Sequence, residues 1–171
     1  CDGAAAAVVR RGARGDGRGV RVLASTGVSA ATGIAAAVER LALPAAERSA
    51  RLALERAGLA LGDIDLFEIH DSSAFVAALA LEAVGLAPPG GPLELAAAGA
   101  FDLDGDRPAL TFGGLKARGN APGAAGLYQV VEAVLQLTGR AGDNQVAGAR
   151  RALVQCLGSL GATAVTHVLG V

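Results

Sequence analysis

Apolar runs of two lengths alternate along this chain, and that order limits the fold more than any single motif does. Val20–Thr26, Asp63–His70, Ala109–Phe112, Ala152–Cys156 and Thr163–Leu169 have the length of strands. Pro44–Gly58, Ser73–Val84 and Pro122–Thr138 have the length of helices. Only the glycine-rich LGSLG turn joins the last two strands, so the chain ends in a hairpin. Strands alternating with helices and a closing hairpin predict an α/β protein, a mixed sheet with helices packed on it.

The helices carry their own punctuation. Pro44 sits in a first turn and Gly58 at a stop, with Ala45, Leu52, Ala53 and Ala57 near helical spacing. Ser73–Val84 is apolar outside Glu82, which predicts burial. In Pro122–Thr138 the stripe Leu127, Val130, Val131, Val134 and Leu135 predicts the buried face, and Gly139 ends the helix. In Asp63–His70 the residues Ile64, Leu66 and Glu68 alternate against Asp65, Phe67 and Ile69. Cys1–Arg10 reads as a further buried strand, Arg11–Gly19 as a Gly/Arg linker, and Pro88–Arg107 as irregular chain.

Composition narrows the setting. Apolar residues make up 52% of the chain but aromatic ones only 3%, so a core rich in alanine needs close backbone approach. A net charge of −1 points to no nucleic acid and no anionic membrane. The longest apolar stretch, Ala74–Ala87, falls short of the ~20 residues that a bilayer demands. Cys1 and Cys156 stand far apart and form no framework, which favours a reducing, cytoplasmic setting. With no methionine and a start at Cys1, the sequence reads as a fragment whose native beginning lies upstream.

Polar and small residues collect where α/β folds place ligands, at strand ends. His70-Asp71-Ser72-Ser73 ends a strand and opens a helix; Asp71 or Ser72 is a candidate N-cap, and His70 a candidate core histidine. Gly113–Gly126 (GGLKARGNAPGAAG) is a glycine-dense loop feeding a helix, either a tight turn or a cradle of N–H groups for an oxyanion. It is no Walker loop, because Asn120-Ala121 follows Gly119 where Lys and Ser/Thr are required. Gly15, Gly17 and Gly19 lead into no helix, which rejects a dinucleotide fingerprint. His167 sits in a strand without a motif and reads as structural. Two histidines and two scattered cysteines show no metal-ligand spacing, so no metal site is expected.

In sequence order these segments resemble the C-terminal domain of thiolases. Asp2-Gly3-Ala4-Ala5-Ala6 is similar to the family's D-G-A-A-A strand, and Ile64–Phe75 to the H-D-C-F motif of sterol-carrier-type thiolases. Gly113–Gly126 resembles G-G-L-x-x-x-G-H-P-x-G-A-T-G, and Cys156-Leu157-Gly158 resembles C-x-G. Gly148-Ala149-Arg150 and Gly161–Ala164 are similar to the archaeal and actinobacterial branch.

The resemblance implies a five-stranded mixed sheet with helices on both faces. Residues 1–18 would be the last strand of an N-terminal domain plus linker, and 19–171 the C-terminal domain. It implies an acyl-CoA acyltransferase of lipid metabolism, with a CoA thioester as substrate and no cofactor, acting as a homodimer with its N-terminal thiolase domain.

Residue by residue, His70 takes the water-positioning place, Asn120 the place of the G-H-P histidine, and Ser72 that of the H-D-C-F cysteine. Cys156 is either the second, proton-moving cysteine or a buried small residue. Asp71, Ser72, Gly113, Gly114, Gly119 and Gly158 would support the loop and oxyanion hole. Asn120 can donate to an oxyanion but cannot take and return a proton near neutral pH. That departure keeps two other roles open: a retro-aldolase on acyl-CoA, and a non-catalytic subunit that binds acyl-CoA or supports a partner. A stray fragment without independent function is a third.

Overall fold

The computed structural model describes residues 1–12, 19–31 and 41–171. Its elements run β1 (Arg21–Ser29), α1 (Pro44–Ala57), β2 (Leu66–Glu68), α2 (Ala74–Val84), α3 (Pro92–Ala97), α4 (Gly114–Arg118), α5 (Ala125–Leu137), β3 (Arg151–Gly158) and β4 (Thr163–Gly170). The sheet is mixed, in the order β1-β4-β3-β2. β4 pairs antiparallel with both β1 and β3, while β2 lies parallel to β3.

Among the described residues four strands form this sheet, not five. The segment expected as a strand over Ala109–Phe112 reduces to one parallel bridge, Phe67 to Ala109. Its backbone bonds Phe67 on both sides, with Phe67 N–H donating to Pro108 and Leu110 N–H donating to Phe67. Leu110 then turns left-handed (φ 54°), and the ladder cannot continue.

Cys1–Arg10, expected as a buried strand, pairs with no described strand, and Val8 and Val9 are 98% and 85% exposed. The linker residues 13–18 lie outside the described residues. Pro88–Arg107, expected to be irregular, contains the short helix α3.

Both faces of the sheet are covered. One core joins Ala45, Ala46, Ala50 and Ala53 of α1 to Phe67, Leu153, Leu157, Ala164 and Val168 of the sheet, with Leu81 of α2. The other joins Ala133 and Leu137 of α5 to Leu66, Ala152, Val154 and Leu169. Alternation in β3 divides its side chains between them: Leu153 and Leu157 face α1, Ala152 and Val154 face α5. Alanines along α1 let its backbone approach the sheet closely, so a chain poor in aromatics still fills this core. Gly58 ends α1 in the left-handed conformation (φ 68°), its N–H donating to Glu55.

Two helices depart from the sequence pattern. α2 is only partly buried, with Ala80, Leu81 and Val84 inside and Phe75 60% exposed. In α5 the buried face is not the valine stripe. It is Gln129, Glu132, Ala133 and Gln136, while Leu127 stays 36% exposed. Each buried polar side chain of α5 has at least one partner: Gln129 donates to the Gln155 carbonyl, Gln136 to that of Asn144, and Glu132 accepts from Arg118.

Candidate functional site

The site lies where β2 ends, where β3 approaches its own C-terminal end, and where the glycine loop enters α5. His70 and Asp71 follow β2 directly, and the parallel pairing of β2 with β3 carries Cys156 alongside them. His70 Nδ1 stands 3.9 Å from Cys156 Sγ, within reach of a weak thiol hydrogen bond. Burial holds the His70 imidazole below its usual range, opposed by the Asp71 carboxylate. Burial pushes the Cys156 thiol up. At neutral pH the pair is thus a neutral imidazole beside a neutral thiol. Gly126 makes room for the sulfur, since a Cβ there would come 3.0 Å from Cys156 Sγ.

Asp71 ties the end of β2 to the glycine loop. Both of its carboxylate oxygens accept the Leu115 N–H, at 3.1 and 3.0 Å, so the first turn of α4 is occupied by a side chain of this protein. Gly114 is left-handed (φ 60°), and a Cβ there would overlap the Asp71 carboxylate. The helix cap falls to Ser73, not to Asp71 or Ser72. Ser73 Oγ accepts the Val76 N–H at 3.2 Å, and Ser72 is exposed.

Farther along the loop, Gly113 N–H donates to Leu110 and Gly119 N–H to Leu115. The Ala124 and Ala125 N–H groups both donate to Ala121. The loop therefore spends much of the N–H supply expected for an oxyanion on its own carbonyls. Asn120 is exposed, and its carbonyl accepts the amino group of Cys1 at 3.1 Å. Residues 1–5 and 121–124, with Leu127, line a cleft of about 400 Å³ beside it. Gly158 lies half-buried at the end of β3, packed against Thr163 rather than against His70.

Behind the loop lies a cluster that the motifs do not mark. Glu68 is fully buried, and its Oε1 accepts both the N–H and the hydroxyl of Thr111, at 3.0 and 2.9 Å. Arg118 Nη1 donates to both oxygens of Glu132, at 2.8 and 2.9 Å, and the guanidinium lies 5.4 Å from the Tyr128 ring centre. Arg118 is no solvated surface cation; its side chain is only 15% exposed. Burial pushes the Glu68 carboxyl up to about 8, helped by the neighbouring Glu132 carboxylate. Burial also raises Glu132, against the pull of Arg118. The signal in the sequence was Glu68 itself, an acid on the apolar face of a strand.

Residues 27–171 match the thiolase C-terminal domain-like family. The chain belongs to that family. It is 40% identical over 126 residues to an acetyl-CoA acetyltransferase of Methanothermobacter thermautotrophicus, covering 74% of this chain and 33% of that protein. It is 40% identical over 120 residues to human sterol carrier protein 2, covering 70% of this chain and 22% of the relative. Among solved structures, the Ltp2-ChsH2(DUF35) aldolase superposes with a TM-score of 0.75 at 20% identity, over 88% of this chain and 39% of that one. This thiolase-family chain thus spans about a third or less of the curated relatives it matches. Among the described residues no helix is long and apolar enough to cross a membrane.

Proposed function

We propose that this thiolase-family chain is the C-terminal half of an acyl-CoA acyltransferase. Residues 1–18 would close the N-terminal half that brings the nucleophile, and 19–171 would form the C-terminal domain. The contact between His70 Nδ1 and Cys156 Sγ, at 3.9 Å, carries this reading. A neutral imidazole beside a thiol can take the thiol proton, and the resulting thiolate can take an α-proton from an acyl-CoA. The proton moves from carbon to sulfur, the earlier thiol proton rests on His70, and an enolate remains. Donors for the enolate oxygen are the Asn120 amide and a water held by His70. The enolate carbon would then attack an acyl group on the other half, expelling that half's thiolate. The substrate is a CoA thioester, no cofactor is needed, and the intact protein would be a cytoplasmic homodimer.

A second reading, retro-aldol cleavage or plain acyl-CoA binding, is favoured by Asn120. It is exposed, it offers no base, and its side chain makes no hydrogen bond with a described residue. Acetoacetyl-CoA thiolysis by the full-length protein separates the two. Under the acyltransferase reading, Asn120→His gains at least ~tenfold over a slow wild type by supplying a general base, and adding Cys156→Ala abolishes the gain. If every form is inert while a β-hydroxyacyl-CoA is cleaved, the lyase reading replaces it. Affinity for CoA esters without cleavage makes the chain a binding module.

A further inference from the structure

We infer that Arg118 is a positioning residue: through Glu132, and through Glu68 behind it, Arg118 fixes the Gly119–Asn120 turn relative to His70 and Cys156. The inference rests on the reading that this loop serves the acyl-CoA site. Three observations carry it.

The loop has two anchors, one at each end of α4. Asp71 holds the first turn through the Leu115 N–H, and Arg118, the last residue of α4, is held by both oxygens of Glu132. Asn120 follows two residues later, so any freedom in Arg118 is freedom in Asn120. The second observation is an orphaned atom. Glu68 Oε2 is buried and meets no N–H or O–H donor among the described residues. Its neighbour is the Glu132 carboxylate, which sits within hydrogen-bonding reach. Two acceptors facing each other in a dry site need a proton between them. Thr111 already occupies Oε1 with two donors, so Oε2 carries the proton and donates to Glu132. The third is the charge balance. Among the described residues Glu132 is paired with the Arg118 guanidinium, the Asp71 and Glu68 carboxyls add to the acid around it, and His70 beside Asp71 stays neutral. One of the carboxyls must keep a proton for the cluster to hold together, and the most buried one, Glu68, is suited to it.

Ionisation of Glu68 would then place a second negative charge beside Glu132 and loosen the tie that holds the loop. Amide hydrogen exchange over residues 113–126 of the full-length protein, corrected for intrinsic pH dependence, tests this. In the wild type, protection of the loop should fall by roughly tenfold as pH rises past about 8, while β3 and β4 keep theirs. Glu68→Gln should keep the loop protected across that range. Arg118→Gln and Glu132→Gln should each lose the protection at every pH. Arg118→Lys should retain it, because a single Nη1 makes both contacts and an ammonium can replace it. A loop whose protection ignores pH, or is unmoved by Arg118→Gln, overturns the inference. Exchange needs no turnover, so an inert enzyme would sink the acyltransferase reading and leave this result standing.

Discussion

The sheet has a buried polar cluster on each face, and they are built from different chemistry. On the α1 face the members are neutral. Ser49 Oγ lies 2.7 Å from Thr166 Oγ1, Gln155 donates to both hydroxyls and to the Ala46 carbonyl, and Thr26 donates to the Ser49 carbonyl. On the α5 face the cluster joins Thr111 to three ionisable groups, Glu68, Glu132 and Arg118. The neutral cluster stitches α1 to the sheet through Gln155, which precedes Cys156 in β3. The charged one ends two residues from Asn120. A neutral network fixes geometry at every pH, whereas a charged one fixes it only while its protons are in place. The titratable cluster stands behind the glycine loop, with Arg118 at the end of α4.

The comparison can be broken most severely at Glu132. Glu132→Leu strands the buried Arg118 guanidinium and should cost about 3–5 kcal/mol in urea unfolding. Gln155→Leu is the matching lesion on the other face. It removes three hydrogen bonds of one amide and should cost about 2 kcal/mol, with no change between acid and alkaline buffer.

Sharper still is the pH dependence. Glu68 titrates near 8 in the folded chain against 4.5 in the unfolded one. Between those values the folded state holds a proton that the unfolded state lacks. Its contribution is full below pH 4.5 and is lost as pH rises through about 8, at no more than ~1.4 kcal/mol per pH unit. Glu68→Gln should flatten that decline in stability measured against pH; an unchanged slope would place the proton elsewhere. Ser73→Ala, near the site but outside both clusters, gives the yardstick. Loss of this N-cap should cost about 1 kcal/mol or less and leave every pH profile as it was.

Much of the architecture was legible in the residues. Pro44 and Gly58 bound α1, the LGSLG turn marks the hairpin of β3 and β4, and the succession of motifs gave the family. Periodicity misled where polar residues had partners. The valines of α5 make a conspicuous stripe, yet Gln129, Glu132 and Gln136 are the buried ones, because each has a hydrogen-bonding group opposite it. A hydropathy pattern cannot register partners that come from other parts of the chain. For the same reason nothing local to Arg118 marks it as buried. Its acid stands fourteen residues on, across a helix boundary. His70 and Cys156 were named from their motifs, but their 3.9 Å approach depends on the parallel pairing of β2 with β3, which no local signal encodes.

The left-handed turn at Leu110 has an effect on how the chain behaves among its own copies. An exposed sheet edge invites another strand, and crowded solutions turn that invitation into aggregates. Beside β2, the strip Pro108–Leu110 already occupies both backbone groups of Phe67, then veers away before it can offer a straight edge of its own. Pro108 has no N–H with which to recruit a stranger. That flank of the sheet is shut to strand addition, which leaves β1, nine residues long, as the other edge among the described strands.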